Sequence, residues 1–260
     1  MLMGIDHLVI VVPELDAAAV TYADLGFTVV PGGRHPVGTH NALIALQDGS
    51  YIELIAFCEA NPEHRWWVPL HQGGGLVDFC MQTDDLMRDT LAFRRAGVAI
   101  DDPTPLTRRR PDGYLLRWVL SIPRGAHRAV APFLIQDETP RAERIPRETA
   151  HQNLATGIGT LTVAVAEVGA VRAWYARVLG VPGQDIRRDD LQAAGVRFPV
   201  GPHRLDFLAP TGPGGPIAAW LRARGASPYG ATLRTAGGPT GALDESRALG
   251  GRLTLTLGEG

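Results

Sequence analysis

The chain has 260 residues, 45% hydrophobic and 20% charged, enough for one large core or two modest ones. A formal net charge of −2 gives no general electrostatic pull toward nucleic acid or an acidic membrane surface. All 25 basic residues are arginine, so Schiff-base, pyridoxal-phosphate and P-loop lysine chemistry is excluded for want of an ε-amine.

The opening Met1-Leu2-Met3-Gly4 leads straight into Asp6-His7 and an apolar, strand-like run, without the basic and apolar regions of a secretory signal. Apolar runs are too short for a membrane span. A soluble, cytoplasmic protein is expected, and the alanine-rich, arginine-only composition suits a GC-rich bacterial genome. Cys58 and Cys80 form no CxxC pair and read as inert thiols.

Residues 4–27 (GIDHLVIVVPELDAAAVTYADLGF) read as a strand, then a helix with apolar Ala19, Tyr22 and Leu25, stopped at Gly26. The runs FTVV, HNALIAL and SYIELIAF follow as strands between turns, so the order is β-α-β-β-β. A fainter copy at a shift of 71 sets His7 on Asp78, Tyr22 on Phe93 and Gly26 on Gly97. Residues 137–156 are polar and proline-punctuated, and read as a linker. At a shift of 153 the opening recurs, with Gly4 on Gly157, Leu8 on Leu161, Tyr22 on Tyr175 and Glu53 on Asp206. A truncated fourth copy begins near Ser227. Each unit leaves one sheet face uncovered, and two units can join around a shared hollow. The expectation is an α+β fold of paired βαβββ modules in two halves. Modules 4–57 and 74–136 form a domain over 1–136, and modules 157–210 and 226–260 form a degenerate half over 157–260.

Strand alternation puts Ile5, His7, Val9 and Val11 on one side. His7 reads as a metal ligand or as a core histidine bonded to backbone. Glu53 lies within YIELIAF, and a carboxylate there needs a metal, an arginine, a histidine or a proton. Asp78, within LVDFCMQ, meets the same requirement. His40 alternates with Ala42 and Ile44 and is taken to point inward beside Glu53, near His35 and Asn41. Arg108, Arg109 and Arg110 precede a Pro-Asp-Gly turn. Such a run is usually a solvated face, but one inward arginine, taken as Arg110, would suit a carboxylate or phosphate. Arg117 and Trp118 alternate faces, and Trp118 is placed as the wall of an apolar pocket. Trp66 and Trp67 read as a pocket cap or as packing. His151 and Asn153 are expected at solvent.

GIDHLVIVVPELDAA, HPVGTHNALIAL, DGSYIELIAF, RRRPDGYLLRW and APFLIQ together resemble the glyoxalase-like branch of the vicinal oxygen chelate superfamily. The resemblance implies U-shaped mixed sheets whose first and last strands in each unit supply ligands to one divalent metal (Ni, Zn, Mn or Fe). It assigns His7, Glu53 and Asp78 as ligands, although Asp78 departs from the usual His or Gln. Phe133 or Leu134 stands where a Glu belongs, so the site has three ligands or has lost its metal. A metal-dependent lyase, isomerase or dioxygenase acting on a small oxygenated substrate follows. Glu53 or His40 would move the proton, and His35, Asn41, Arg110, Arg117 and Trp118 would hold the substrate. A metal-free protein that binds an antibiotic or metabolite is the alternative, and a structural or interaction module a further one. Thr160 replaces the first-strand histidine in the second half, and Asp206 is expected to pair with Arg204 or Arg234. A small molecule is the expected partner, without nucleic acid or membrane, and a homodimer remains open.

Overall fold

The computed structural model describes residues 1–258. The first half runs β1 (Leu2–Val11), α1 (Leu15–Asp24), β2 (Val30–His35), β3 (Thr39–Ala45), β4 (Tyr51–Phe57), α2 (Trp67–His71), β5 (Gly75–Thr83), α3 (Leu86–Ala96), β6 (Thr104–Arg109), β7 (Leu115–Ser121) and β8 (Phe133–Asp137). After α4 (Arg141–Arg144) come β9 (Ala155–Ala164), α5 (Val168–Leu179), β10 (Gln184–Arg188), β11 (Ala193–Val200), β12 (His203–Pro210), α6 (Gly215–Arg224), β13 (Ser227–Thr235), β14 (Gly241–Ala242) and β15 (Leu253–Leu257). Local chemistry sets the helix ends. The Asp85 carboxylate accepts from the Arg88 amide at the start of α3, and left-handed Gly97 and Gly180 stop α3 and α5.

Two βαβββ units build the first half, joined by antiparallel β1 and β5. The expected U closes into an eight-stranded barrel, β1-β4-β3-β2-β6-β7-β8-β5. Closure occurs where β2 meets β6 at Arg34 and Arg109. Gly33 (φ +133°) permits it, because a Cβ there would stand 2.1 Å from the Arg109 carbonyl oxygen. In the second half β13 meets β9 as β5 meets β1, but only β14 and β15 follow, and the seven-stranded sheet stays open.

One hydrophobic core lies on the helix side of both sheets and draws residues from both halves, including Leu8, Ile10, Tyr22, Phe93, Leu161, Tyr175 and Phe207. Phe93 of α3 meets Tyr175 of α5 edge-on, centroids 6.1 Å apart. The two repeat-related tyrosines cross-link the halves. Tyr22 donates to the Ala248 carbonyl (2.8 Å) and Tyr175 to the Val130 carbonyl (3.2 Å). A second apolar cluster, including Val9, Ile55, Trp118 and Phe133, lines the barrel interior. Among the described residues no helix is long and apolar enough to cross a membrane.

Residues 137–156 run as a strap against the barrel. Arg144 is buried, and so are His151 and Asn153, contrary to the solvent exposure expected of them. The strap crosses packed strand edges, and its polar groups pair there. The Thr28 amide donates to His151 Nδ1 (3.0 Å), His151 Nε2 meets the Ala45 carbonyl (2.9 Å), and Asn153 Nδ2 donates to the Leu25 carbonyl (3.0 Å).

Tyr22→Phe and Tyr175→Phe each remove a hydrogen bond at the junction of the halves; the Ala248 carbonyl keeps its bond from the Gly251 amide (2.8 Å), while the Val130 carbonyl loses its tyrosine donor. Each is expected to cost about 1–2 kcal/mol in urea unfolding, and the double variant their sum to within about 0.5 kcal/mol. Unchanged midpoints in both single variants would remove these bonds from the account of how the halves are joined.

Candidate functional site

The site begins with an irregularity in β1. Ile5 pairs with Met81 but His7 with Cys80, so Asp6 is an extra residue, a β-bulge. The bulge breaks the expected alternation. Ile5 joins the outer core with Leu8 and Ile10, while Val9 and Val11 line the barrel and His7 faces its cavity. It also lets adjacent side chains meet, with Asp6 Oδ1 2.7 Å from His7 Nδ1. Asp6 has no exposed surface. Two bonds from Arg144 (both 2.9 Å) and one from Arg141 hold it. Burial alone would raise its pKa, but the Arg144 charge and the His7 bond prevail and hold it well below the usual carboxylate range. Arg144 also binds Asp137 and donates to the Tyr51 hydroxyl (2.8 Å), and the Tyr51 ring stacks on His7, centroids 4.6 Å apart. An ionised Asp6 assigns the proton to His7 Nδ1. Nε2 then faces Glu53 Oε2 at 3.5 Å, and Glu53 Oε1 accepts from Asn41 Nδ2 (2.6 Å).

These groups open onto a cavity of about 330 Å³, within the usual range for small-molecule sites. Arg108 and Arg144 flank His7 and Glu53, and the apolar lining includes Ile55, Leu106, Trp118, Leu120 and Ile122. The connection between β4 and β5 adds His64, Arg65 and Trp66. Trp66 is thus a pocket wall, while Trp67 opens α2 and packs edge-on against Phe57. Burial, against the pull of Glu53, lowers His35 to about 4; burial and the Arg65 charge lower His64 to about 4. Both are therefore neutral at neutral pH.

The structure brings together His7, Glu53, His35, Asn41 and Trp118. It sets three of the expected residues elsewhere. Thr39 faces the cavity and Asn41 reaches Glu53, so alternation turns His40 to the other face, beside Arg34 and Arg109. Arg110 lies beyond the end of β6 and pairs with Asp112 and Glu143. Arg117 is exposed, opposite in face to Trp118. The inward arginine of the run is Arg108, across from Leu116. Its Nη2 donates to the Arg144 carbonyl (3.0 Å), and its buried Nε has no partner. The inward row Leu106, Arg108 of β6 was the signal for it. Arg65 and Arg144 lie outside the repeated strands, where no pattern marks them.

The metal set implied by resemblance does not assemble. Val9 is paired with Glu53 on one side and Asp78 on the other. Asp78 Oδ1 accepts from the Phe79 amide (2.9 Å), and Oδ2 from Trp66 Nε1 (3.0 Å) with Arg65 Nε at 3.6 Å. Burial nonetheless raises its pKa. Phe133, not Leu134, faces the interior at the fourth position. Among the described residues one trio, Asp6, His7 and Cys80, has ligand atoms within 4.8 Å of one another. Asp6 is already saturated by two guanidiniums, and burial pushes the Cys80 thiol well above its ordinary pKa. A divalent ion roughly 5 Å from a guanidinium meets about 7 kcal/mol of repulsion at an effective dielectric of ~20. Neither set fits a divalent metal.

The second half repeats the bulge without the chemistry. Ala231 pairs with Leu161 but Leu233 with Ile158, and Gly159-Thr160 stand where Asp6-His7 stand. Asp206 accepts two 2.7 Å bonds from Arg197, directly across the ladder, where the sequence pointed to Arg204 or Arg234. Arg234 instead reaches Asp48 of the first half (2.7 Å).

Residues 5–179 match the family model of a glyoxalase-like domain. No curated protein matches the sequence. Among solved structures, a hypothetical protein from Staphylococcus aureus superposes with TM-score 0.70 at 14% identity, over 97% of this chain and 98% of that one. A variant of 4-hydroxymandelate synthase from Streptomyces coelicolor gives 0.63 at 13% identity, over 90% and 72%. A xylose isomerase-like TIM barrel/4-hydroxyphenylpyruvate dioxygenase fusion protein gives 0.53 at 14% identity, over 90% and 36%. At such identities the likeness is one of fold.

His35 is a base with a folded pKa depressed to about 4, so unfolding takes up its proton between about pH 6.5 and pH 4. Its stabilising contribution is complete above that window and falls on acidification through it. The pH slope of unfolding free energy in His35→Gln should be shallower than wild type by up to about 1.4 kcal/mol per pH unit. Parallel slopes would show that this imidazole titrates normally in the folded chain.

Proposed function

The chain belongs to the glyoxalase-like domain family of the vicinal oxygen chelate superfamily, and we propose that its first-half barrel binds a small carboxylate-bearing molecule with an apolar body, independently of a divalent ion. The observation that carries this reading is Arg108, a buried guanidinium lining a cavity walled by Trp118, Leu106 and Ile122 and left with an unpartnered Nε. A planar guanidinium suits a carboxylate, and the apolar lining suits the rest of such a molecule. The metal-dependent lyase, isomerase or dioxygenase reading rests on the superfamily and on His7 facing Glu53. The commitment of Asp78 to Trp66 and Arg65 weighs against it.

Protein held in EDTA is expected to be stabilised in thermal-shift assays by some arylcarboxylates and not by the corresponding amides. Arg108→Met should weaken that binding roughly 10–100-fold, the worth of a charge-assisted bond. Binding that vanishes in EDTA and returns with one metal would overturn this reading, as would equal binding of the amides.

One observation favours a catalytic extension. The Asp6–His7–Glu53 series presents an imidazole nitrogen and a carboxyl group to the cavity, the equipment for moving a proton on a bound molecule. A bound carboxylic acid with an acidic α-hydrogen is expected to exchange it for solvent deuterium, followed by NMR, and His7→Asn to abolish the exchange. Exchange at the same rate in His7→Asn would leave the barrel a binding site only.

A further inference from the structure

We propose that Arg65 is the resident cation of this barrel, a guanidinium seated among the side chains that the superfamily resemblance assigns to metal binding. This rests on the metal-independent reading above. Four inward positions correspond to those ligands: His7, Glu53, Asp78 and Phe133. Arg65 touches two of them, with Nε 3.6 Å from Asp78 Oδ2 and Cζ 4.3 Å from the centre of the Phe133 ring. Phe133 in turn meets the His7 ring edge-on, centroids 5.3 Å apart. The Trp66 ring lies 4.4 Å from Arg65 Cζ, and its Nε1 holds Asp78 Oδ2.

This is a built site and not an incidental surface pair. The guanidinium lies between two aromatic faces that stabilise a desolvated cation. Its Nη1 is buried and has no hydrogen-bond partner, so one donor is committed to nothing else in the fold. Asp78, an otherwise isolated carboxylate in an apolar strand, gains from Arg65 the counter-charge it needs. Glu53 adds its field from the far side of Val9. The cation arrives on the segment between α2 and β4, outside both repeated modules.

Two consequences separate this assignment from a plain salt bridge. The positive charge excludes a divalent ion, and it faces the same cavity as Arg108, where it attracts anionic oxygen on a bound molecule. Without Arg65, Asp78 keeps only the Trp66 indole and the Phe79 amide, and an imidazole and two carboxylates stand on adjoining inward rows, Glu53 and Asp78 on either side of Val9, donor types found in open metal sites.

Cobalt(II) is the probe, read by its visible ligand-field absorption on untagged protein. Wild type and Arg65→Lys are expected to take up no Co²⁺ at equimolar concentration. Arg65→Met, which keeps the length of the stem, should gain one site per chain at least about 100-fold tighter, and Asp78→Asn in that background should remove it. Far-UV circular dichroism and melting confirm the fold of each variant, and Arg65→Gln repeats the measurement should the methionine variant not fold. Tight, stoichiometric uptake by wild type overturns the proposal without recourse to any variant, and so does a folded Arg65→Met or Arg65→Gln that gains no site. Arylcarboxylate binding in EDTA alongside no gain of metal would sink this inference alone. Loss of that binding in EDTA would sink the metal-independent reading as well.

Discussion

Asp6 is a carboxylate with no exposed surface in the wall of a barrel, and the first half is arranged around neutralising it. The desolvation cost of such a group is several kcal/mol, repaid only by close and fully bonded counter-charges. Arg144 and Arg141 supply them from α4, which is why the strap after β8 is fastened under the barrel. Arg144 then fixes more than its ion pair. Its guanidinium orients Tyr51, which stacks on His7, and its carbonyl receives Arg108. The ionised Asp6 sets the tautomer of His7. The direction in which His7 can accept or return a proton thus follows from a charge placed outside the cavity.

The two halves serve as an internal comparison. Both have the bulge in the opening strand, a repeat-related tyrosine and the same sheet order around it. Only the first has an Asp-His pair at the bulge and a closed barrel, whereas the cavity on the second half's open sheet is lined by Thr160, Arg197, Arg204 and Arg234. With glycine and threonine at the corresponding positions, the second half carries no comparable buried charge there. It contributes instead to the shared core, through Tyr175, Phe198 and Phe207 stacked between its sheet and helix α5. The duplicated fold supplies the scaffold, and a few substitutions on its inward rows decide where chemistry resides.

Charge inside the barrel is sorted by position. Asp6 is matched by Arg144 and Arg141 behind His7, Asp78 by Arg65 beside Phe133, and Glu53 is left with an amide and an imidazole. Arg108 has no carboxylate bonded to it. The cavity is consequently a place where one anionic group from outside completes the hydrogen bonding, and where a divalent ion would meet guanidiniums already occupying the carboxylates.

The repeated β-α-β-β-β order, the inward rows carrying His7 and Glu53, the wall made by Trp118 and the degeneracy of the second half were all legible in the sequence. Each depends on a period of two or on self-similarity at a fixed offset, which are properties of the chain alone. The bulge at Asp6, the outward turn of His40, the inward turn of Arg108 rather than Arg110, and the arrival of Arg65 and Arg144 were decided by tertiary structure. A one-residue bulge or the end of a strand reverses which face a side chain takes. Arginines carried on connecting segments reach their carboxylates across distances that no local pattern encodes.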